Sequence, residues 1–220
     1  MKIGIFGTGS VGETIGSRLL ELGHDVMMGS RTAGNEKAVA WTQKSGACAS
    51  QGTFAEAAAF GEVLFNCTKG DASLAVLEQA GAANLRGKTL LDVSNPLDFS
   101  NGFPPSLSVC NTDSLGEQLQ RAFPDVRIVK TLNTMWAGLM VNPALLADGA
   151  HAVFVSGNDA AAKQQATDIL RQFGWHDESI VDLGDLSTAR GTEMILPLWL
   201  RLYGKLQTGA FNFAVVRSGT

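Results

Sequence analysis

A chain of 220 residues can bury a full core but is short for two domains of the usual size, roughly 100 to 200 residues each. With 45% hydrophobic and 17% charged residues it is neither disordered nor low-complexity, and a net charge of −4 supplies none of the basic field that nucleic-acid binding uses. No stretch approaches the ~20 apolar residues of a membrane helix, and Met1 runs directly into Ile3, Ile5 and Phe6 without a signal-peptide pattern, so the expected location is the cytoplasm, away from the membrane.

Along the chain, short β-rich apolar runs alternate with helical periodicity. That is the pattern of an α/β Rossmann fold, a doubly wound, mostly parallel sheet covered by helices, here with a small C-terminal helical extension. The first strand, 2–6, runs into Gly7, Gly9 and Gly12, which form G-x-G-x-x-G ahead of a helix at 11–22, the context the motif requires. Gly7 permits the tight turn, Gly9 admits a pyrophosphate close to the backbone, and Gly12 lets the helix pack on the sheet. The phosphates are expected at the amino end of that helix, where unpaired N–H groups and the helix dipole favour negative charge.

The second strand, 25–29, ends at the place where NAD-selective proteins carry Asp or Glu on the ribose hydroxyls. Here the residues are Gly29, Ser30, Arg31 and Thr32. A carboxylate would repel a 2′-phosphate, whereas Arg31 can grip it and the Ser30 and Thr32 hydroxyls can donate to it. The cofactor is therefore expected to be NADP(H).

A helix at 36–45, a weak extra strand near Ala47, and a helix at 54–60 follow. Thr53 with Glu56, and further on Ser114 with Glu117, have capping-box spacing. Strands are then expected at 62–67, 88–93, 126–131, 152–156 and 179–182, with helices at 72–81, 115–123 and 160–173 and a long helix after Leu186. The loop 96–112, carrying Asn101, Gly102, Pro104 and Pro105, is long enough to act as a lid. Residues 1–185 form the NADP-binding domain, and 186–220 the extension that completes the substrate cleft or a dimer interface.

Ligands of a doubly wound sheet lie outside the carboxyl ends of its strands. Those ends carry Thr68 and Lys69, then Ser94, Asn95 and Pro96, then residues 133–136, among them Asn133, Met135 and Trp136. His24, His151 and His176 all precede strands and are expected at the opposite edge, on the surface. The candidate catalytic residues are thus Lys69, the one well-placed proton donor, and Asn133; Lys130 lies inside a strand with a structural role, and Tyr203, the sole tyrosine, sits on the terminal helix. Cys48, Cys67 and Cys110 lack C-x-x-C pairing and read as buried small hydrophobes, with no disulfide and no metal site. So few acids point to an acceptor that needs little acid catalysis, a flavin-like ring held face to face with the nicotinamide between apolar walls such as Met135, Trp136, Leu196, Pro197 and Trp199.

These residues resemble the deazaflavin (coenzyme F420)-dependent NADP oxidoreductases, whose nucleotide domain is also similar to the reductase part of membrane ferric reductases of the STEAP type. The matching segments are IGIFGTGSVGETIGSRL, LGHDVMMGSRT, VSNPL, KTLNTMWA and ARGTEMILPLWLRL, of which KTLNT stands nearer the ferric reductases. The resemblance implies hydride transfer between NADPH and a deazaflavin. It also implies NADP contacts at Thr8, Ser10, Val11, Ser30, Arg31 and the Thr68 region, with Asn133, Met135 and Leu196 and Pro197 beside the second ring.

Two other readings remain open at this point. An active enzyme needs a second cleft over the nicotinamide while an NADP(H)-binding redox sensor can leave it filled, and a hydroxyacid or imine reductase would normally carry a larger helical C-terminal domain than the residues after Asp185 supply. Coenzyme F420, a flavin or another small acceptor can be the second ligand. The apolar Ala210, Phe211, Phe213, Val215 and Val216 are expected to dock on their own sheet or on a second copy, giving a homodimer.

Overall fold

The computed structural model describes residues 1–218. In chain order its elements are β1 (Lys2–Phe6), α1 (Ser10–Glu21), β2 (Asp25–Ser30), α2 (Glu36–Ser45), β3 (Ala49–Thr53), α3 (Phe54–Phe60), β4 (Val63–Asn66), α4 (Gly70–Ala80), the short α5 (Ala82–Leu85) and β5 (Thr89–Asp92). There follow β6 (Leu97–Asp98), β7 (Ser106–Leu107), α6 (Leu115–Ala122), β8 (Arg127–Thr131), α7 (Ala137–Val141), β9 (Val153–Gly157), α8 (Ala160–Phe173), β10 (Ile180–Gly184), α9 (Ala189–Met194) and α10 (Leu196–Leu206).

Eight strands form one sheet in the order β10-β9-β8-β5-β4-β1-β2-β3. The stretch from β3 to β8 is the six-stranded order of the dinucleotide-binding fold. Its inner strands β1, β4, β5 and β8 are largely apolar on both faces because helices cover both. Ile3 and Ile5 of β1 join one core layer with Val63, Phe65, Leu91, Val129, Ile15, Leu19 and Trp41, under α1, α2 and α8. Phe6, Leu64, Leu90 and Ile128 face the other way, under α3, α4 and α6. The alternation within each strand sets which side chain enters which layer.

The weak strand near Ala47 is real and lies two residues later, as β3 at the sheet edge. Four features depart from the sequence expectation. The loop 96–112 contains a small antiparallel hairpin, with Leu97 paired to Leu107 and Asp98 to Ser106. The long helix after Leu186 is two helices: Pro197, in the first turn of α10, lacks an N–H and its ring would clash with the carbonyl four residues back, so the ladder breaks there. Short helix α7 follows β8 without a strong periodic signal, since five residues span little more than one turn.

The fourth departure has the largest consequence. β9 pairs antiparallel with β8, Val129 opposite Gly157 and Thr131 opposite Val155, and β10 runs parallel to β9. The residues that precede β9 and β10 therefore sit at the carboxyl edge of the other strands. The expected C-terminal unit, 186–220, is described as far as residue 218. None of the helices among the described residues is long and apolar enough to cross a membrane.

Candidate functional site

The site is built where β1, β2, β4, β5 and β8 end. β1 is the switch strand, flanked by β2 on one side and β4 on the other, and the crevice opens there. Gly7 turns the chain out of β1 at φ +115, a conformation that a side chain would strain, and its amide donates to the carbonyl of Gly29. A Cβ on Gly12 would stand 2.3 Å from the Gly7 carbonyl oxygen, so α1 packs against the turn only with glycine there. Gly9, by contrast, has open space at its Cβ position; Ser10 begins α1 one residue earlier than expected, and Val11 is half-buried behind it.

Beside this loop a cavity of about 410 Å³ is lined by Gly7, Thr8, Ser30, Arg31, Thr32, Asn35 and Phe54. Arg31 is exposed at its mouth. The Ser30 hydroxyl donates to the Thr32 carbonyl at 2.7 Å, which shapes the loop and commits its only proton. Asn35 caps α2 by accepting from the amides of Lys37 and Ala38.

A second cavity, of about 590 Å³, lies between the ends of β4 and β5 and the hairpin, lined among others by Val11, Thr68, Lys69, Asn95, Phe99 and Ser108. Lys69 is exposed at the head of α4. The Thr68 hydroxyl donates to Asn66 Oδ1 at 2.6 Å. Pro96 is buried at the base of the hairpin, its carbonyl accepting from the Ser108 amide at 2.8 Å. Cys67, at the end of β4, is held as a thiol: burial and the charge of Asp92 both push its pKa up.

The loop after β8 is tied to the loop after β5 by a reciprocal amide pair. Asn133 Nδ2 donates to Asn95 Oδ1 at 2.9 Å and Asn95 Nδ2 to the Asn133 carbonyl at 2.8 Å. Leu132, between β8 and this pair, is buried with φ +62, a left-handed conformation that costs a branched side chain energy and is held by its surroundings. Met135 is buried in the core layer under α1 and α8, while Trp136 is 45% exposed.

Beneath this floor runs a polar network that sequence reasoning did not assemble. Asn66 Nδ2 donates to Ser73 and to Asp92, the Ser94 hydroxyl donates to Asp92 Oδ1 at 2.6 Å, and Lys130 Nζ donates to the Ser94 carbonyl at 2.9 Å. Lys130 also faces Asp92 at 2.5 Å and Glu193 at 2.8 Å, all three side chains almost fully buried. Burial alone would lower the Lys130 pKa, but the two carboxylates outweigh it and hold the ammonium charged. One signal was available: Asn66, Asp92 and Lys130 are polar residues at or next to the ends of largely apolar strands. Glu193 stands in the matching segment ARGTEMILPLWLRL, but its partners, more than sixty residues away in sequence, were not readable from it.

The histidines and cysteines need correction. His24 lies at the amino edge as expected but is buried, bonded to Gln172 at 2.7 Å. His151 is buried too, between the Pro143 carbonyl and Asn212 and edge-on to Trp175. Because β9 is reversed, both His151 and the exposed His176 lie at the carboxyl edge, not opposite it. Cys48 and Cys110 are exposed rather than buried. Among the described residues no cluster of His, Cys, Asp or Glu is arranged to hold a metal ion.

The C-terminal segment crosses this same edge. It starts at α9, whose Glu193 sits on the amino end of α6, passes Gly209 close against Trp136, and ends with the Phe213 carbonyl accepting from the Ala152 amide at the head of β9. Trp199 of α10 stacks between Tyr203 and Phe211. Phe211 and Phe213 are half-buried on the chain itself, and Val215 and Val216 are exposed.

A glycine turn at a Rossmann switch strand, with a second cleft beside it, is the arrangement of a dinucleotide-binding protein. The sequence model of the family "NADP oxidoreductase coenzyme F420-dependent" matches residues 2–96. A solved structure described as an F420-dependent NADP reductase, from Arthrobacter sp. FB24, is 50% identical and superposes with a TM-score of 0.93 over 99% of this chain and 100% of that one. This chain belongs to the F420-dependent NADP oxidoreductase family and is an NADP-dependent oxidoreductase. Metalloreductase STEAP3 of Rattus norvegicus is 33% identical over 207 residues, 90% of this chain and 38% of the relative. Metalloreductase STEAP2 of Homo sapiens is 37% identical over 118 residues, 53% of this chain and 21% of the relative. The chain thus spans well under half of the curated relatives it matches. A reductive aminase from Aspergillus terreus in complex with NADPH, 22% identical with a TM-score of 0.62 over 94% of this chain and 62% of that one, shares the fold.

Proposed function

We propose that NADP(H) lies along the carboxyl edge with its 2′-phosphate on Arg31, and that hydride passes to a flavin-like ring, coenzyme F420 in the first place, seated in the cleft between the β4 and β5 ends and the hairpin. The observation that carries this reading is the pair of cavities on either side of the glycine turn. One presents Arg31 with no carboxylate in its lining; the other stands open beside Lys69 and Asn95, where a sensor would need no second cleft.

The residues fit the cofactor. Gly9 leaves room for a pyrophosphate at the amino end of α1, and Gly7, Thr8, Ser10, Val11 and Gly12 surround it. Ser30 and Thr32 shape the loop that aims Arg31, while Thr68, Lys69, Ser94, Asn95, Pro96 and Asn133 floor the nicotinamide half. Bound NADPH supplies the hydride. The protein's part is to hold two rings in register and to exclude water, through the Asn95–Asn133 pair beneath and Leu196, Pro197 and Trp199 of α10 closing over the acceptor. Met135 supports that floor from within the core. Lys69 is the one side chain lining the open cavity with an ammonium proton to give, and no histidine or tyrosine lines it, which suits an acceptor reduced at ring carbon or nitrogen.

The enzyme is expected to act in the cytoplasm as a homodimer, supported by the exposed Leu198, Tyr203 and Leu206 of α10; a monomer mass in solution would remove the dimer. The deciding experiment follows loss of NADPH absorbance by the purified protein offered F420, FMN, FAD, ferric chelates and quinones in parallel. Turnover with F420 alone establishes the acceptor, and turnover with flavin or iron moves it. NADPH binding without turnover would overturn the proposal.

A further inference from the structure

We propose that Glu193 is a positioning residue that fixes the C-terminal segment proposed to close over the acceptor to the floor beneath the nicotinamide, an inference that rests on the function just proposed. Lys130 is already matched by Asp92 at 2.5 Å, so neutrality of the buried ammonium does not require a second carboxylate. Burying one costs desolvation, and Glu193 is only 1% exposed.

The geometry gives that second carboxylate a purpose. Glu193 Oε1 takes Lys130 Nζ at 2.8 Å and the Gly116 amide at 3.1 Å, while Oε2 takes the Leu115 amide at 2.8 Å. The excess negative charge thus rests on the amino end of α6, where the helix dipole favours it. Gly116 leaves the room this requires, since a Cβ there would press on Lys130 Cε at 3.3 Å.

Both anchors belong to the body of the fold, and the carboxylate belongs to the segment that continues into α10. From Lys130 the chain of contacts runs to the Ser94 carbonyl, then through Asn95 to Asn133. From Glu193 the backbone runs within three residues to buried Leu196 and on to Trp199. One charge-assisted set of bonds therefore ties the loops after β5 and β8 to the C-terminal segment. A second tether, Arg190 to Glu117 at 2.8 Å, also joins α9 to α6 but does not reach Lys130, and so provides the control.

The test first requires the wild-type enzyme to oxidise NADPH with an acceptor; if it reduces none, the proposed function falls, and Glu193 is not the reason. With an active acceptor in hand, KM and kcat for it, the NADPH Kd and the melting temperature are measured for Glu193→Gln, Glu193→Asp and Arg190→Gln. Glu193→Gln is expected to lower acceptor kcat/KM by ~10- to 100-fold, the range seen when outer partners of a site are removed. Its NADPH Kd should stay within about twofold, because the glycine turn and Arg31 are untouched. Glu193→Asp, which keeps the charge but is one methylene too short to span both anchors, should fall between it and wild type. Arg190→Gln should keep wild-type kinetics. Wild-type acceptor kinetics in Glu193→Gln with only a lower melting temperature would overturn the proposal, as would an equal loss in Arg190→Gln. Should Glu193→Gln fail to fold, Glu193→Asp decides by the same comparison.

Discussion

Replacing Arg31 by alanine tests the cofactor assignment at one atom group. Arg31 is exposed at the mouth of the cavity beside the glycine turn and makes no ion pair or side-chain hydrogen bond among the described residues, so its removal should leave stability within about 0.5 kcal/mol. Against a 2′-phosphate the guanidinium would form charge-assisted bonds worth ~1.5 to 3 kcal/mol. Solvent screening at an exposed position argues for the lower end, and ~1.5 kcal/mol is about a tenfold rise in Kd. NADH, which lacks the phosphate, should change by less than about twofold. Calorimetric titration of both cofactors into wild type and Arg31→Ala gives the four constants needed, and repeating them at higher salt should shrink the NADPH difference, since exposed charges are screened beyond ~8 Å at physiological ionic strength. Equal weakening of NADPH and NADH, or no weakening of either, would refute the assignment of the 2′-phosphate to this residue.

Gly12→Ala places a methyl 2.3 Å from the Gly7 carbonyl oxygen, and should destabilise the fold by ~1 to 3 kcal/mol in urea unfolding while weakening NADPH binding; a wild-type midpoint would contradict the packing described. Asn133→Ala removes the donor to Asn95 Oδ1 and should lower kcat about tenfold with little change in melting temperature, which stopped-flow hydride transfer would register. Acid should destabilise the protein through its capping and ion-paired carboxylates. Asp113 is held at about 2 by its hydrogen bonds to Arg121, and Glu56, Asp98, Glu117 and Asp185 also lie below their ordinary values. Depressed carboxylates contribute stability that is complete above the unfolded value near 4 and is lost as pH falls through the folded one. Unfolding free energy should therefore drop between about pH 4 and pH 2, and Asp113→Asn should flatten part of that drop while costing less than ~1 kcal/mol at neutral pH.

Local signals were legible in the chain. The glycine spacing, the capping residues Thr53 and Ser114, and the apolar alternation of β1, β4, β5 and β8 each depend on neighbours within a few residues. So does the absence of a carboxylate after β2, which set the cofactor expectation at Arg31. These features are intrinsic to the backbone and to the period of strand and helix, and they located the edge where the cofactor loop lies.

Strand direction was not legible, because an apolar run reads the same in either sense. Only the pairing of β8 with β9 decided that His151 comes to the carboxyl edge and that His176 joins it. The partners of Lys130 were likewise hidden: Asp92 and Glu193 lie 38 and 63 residues away, and a buried charge is satisfied by whatever the packed fold brings to it. The sequence by itself determined the fold class, the glycine turn and the edge at which the strand-end residues gather, since those rest on local geometry. The tertiary structure alone decided how the C-terminal helices close over the edge and what holds them, since that depends on contacts between segments far apart in the chain.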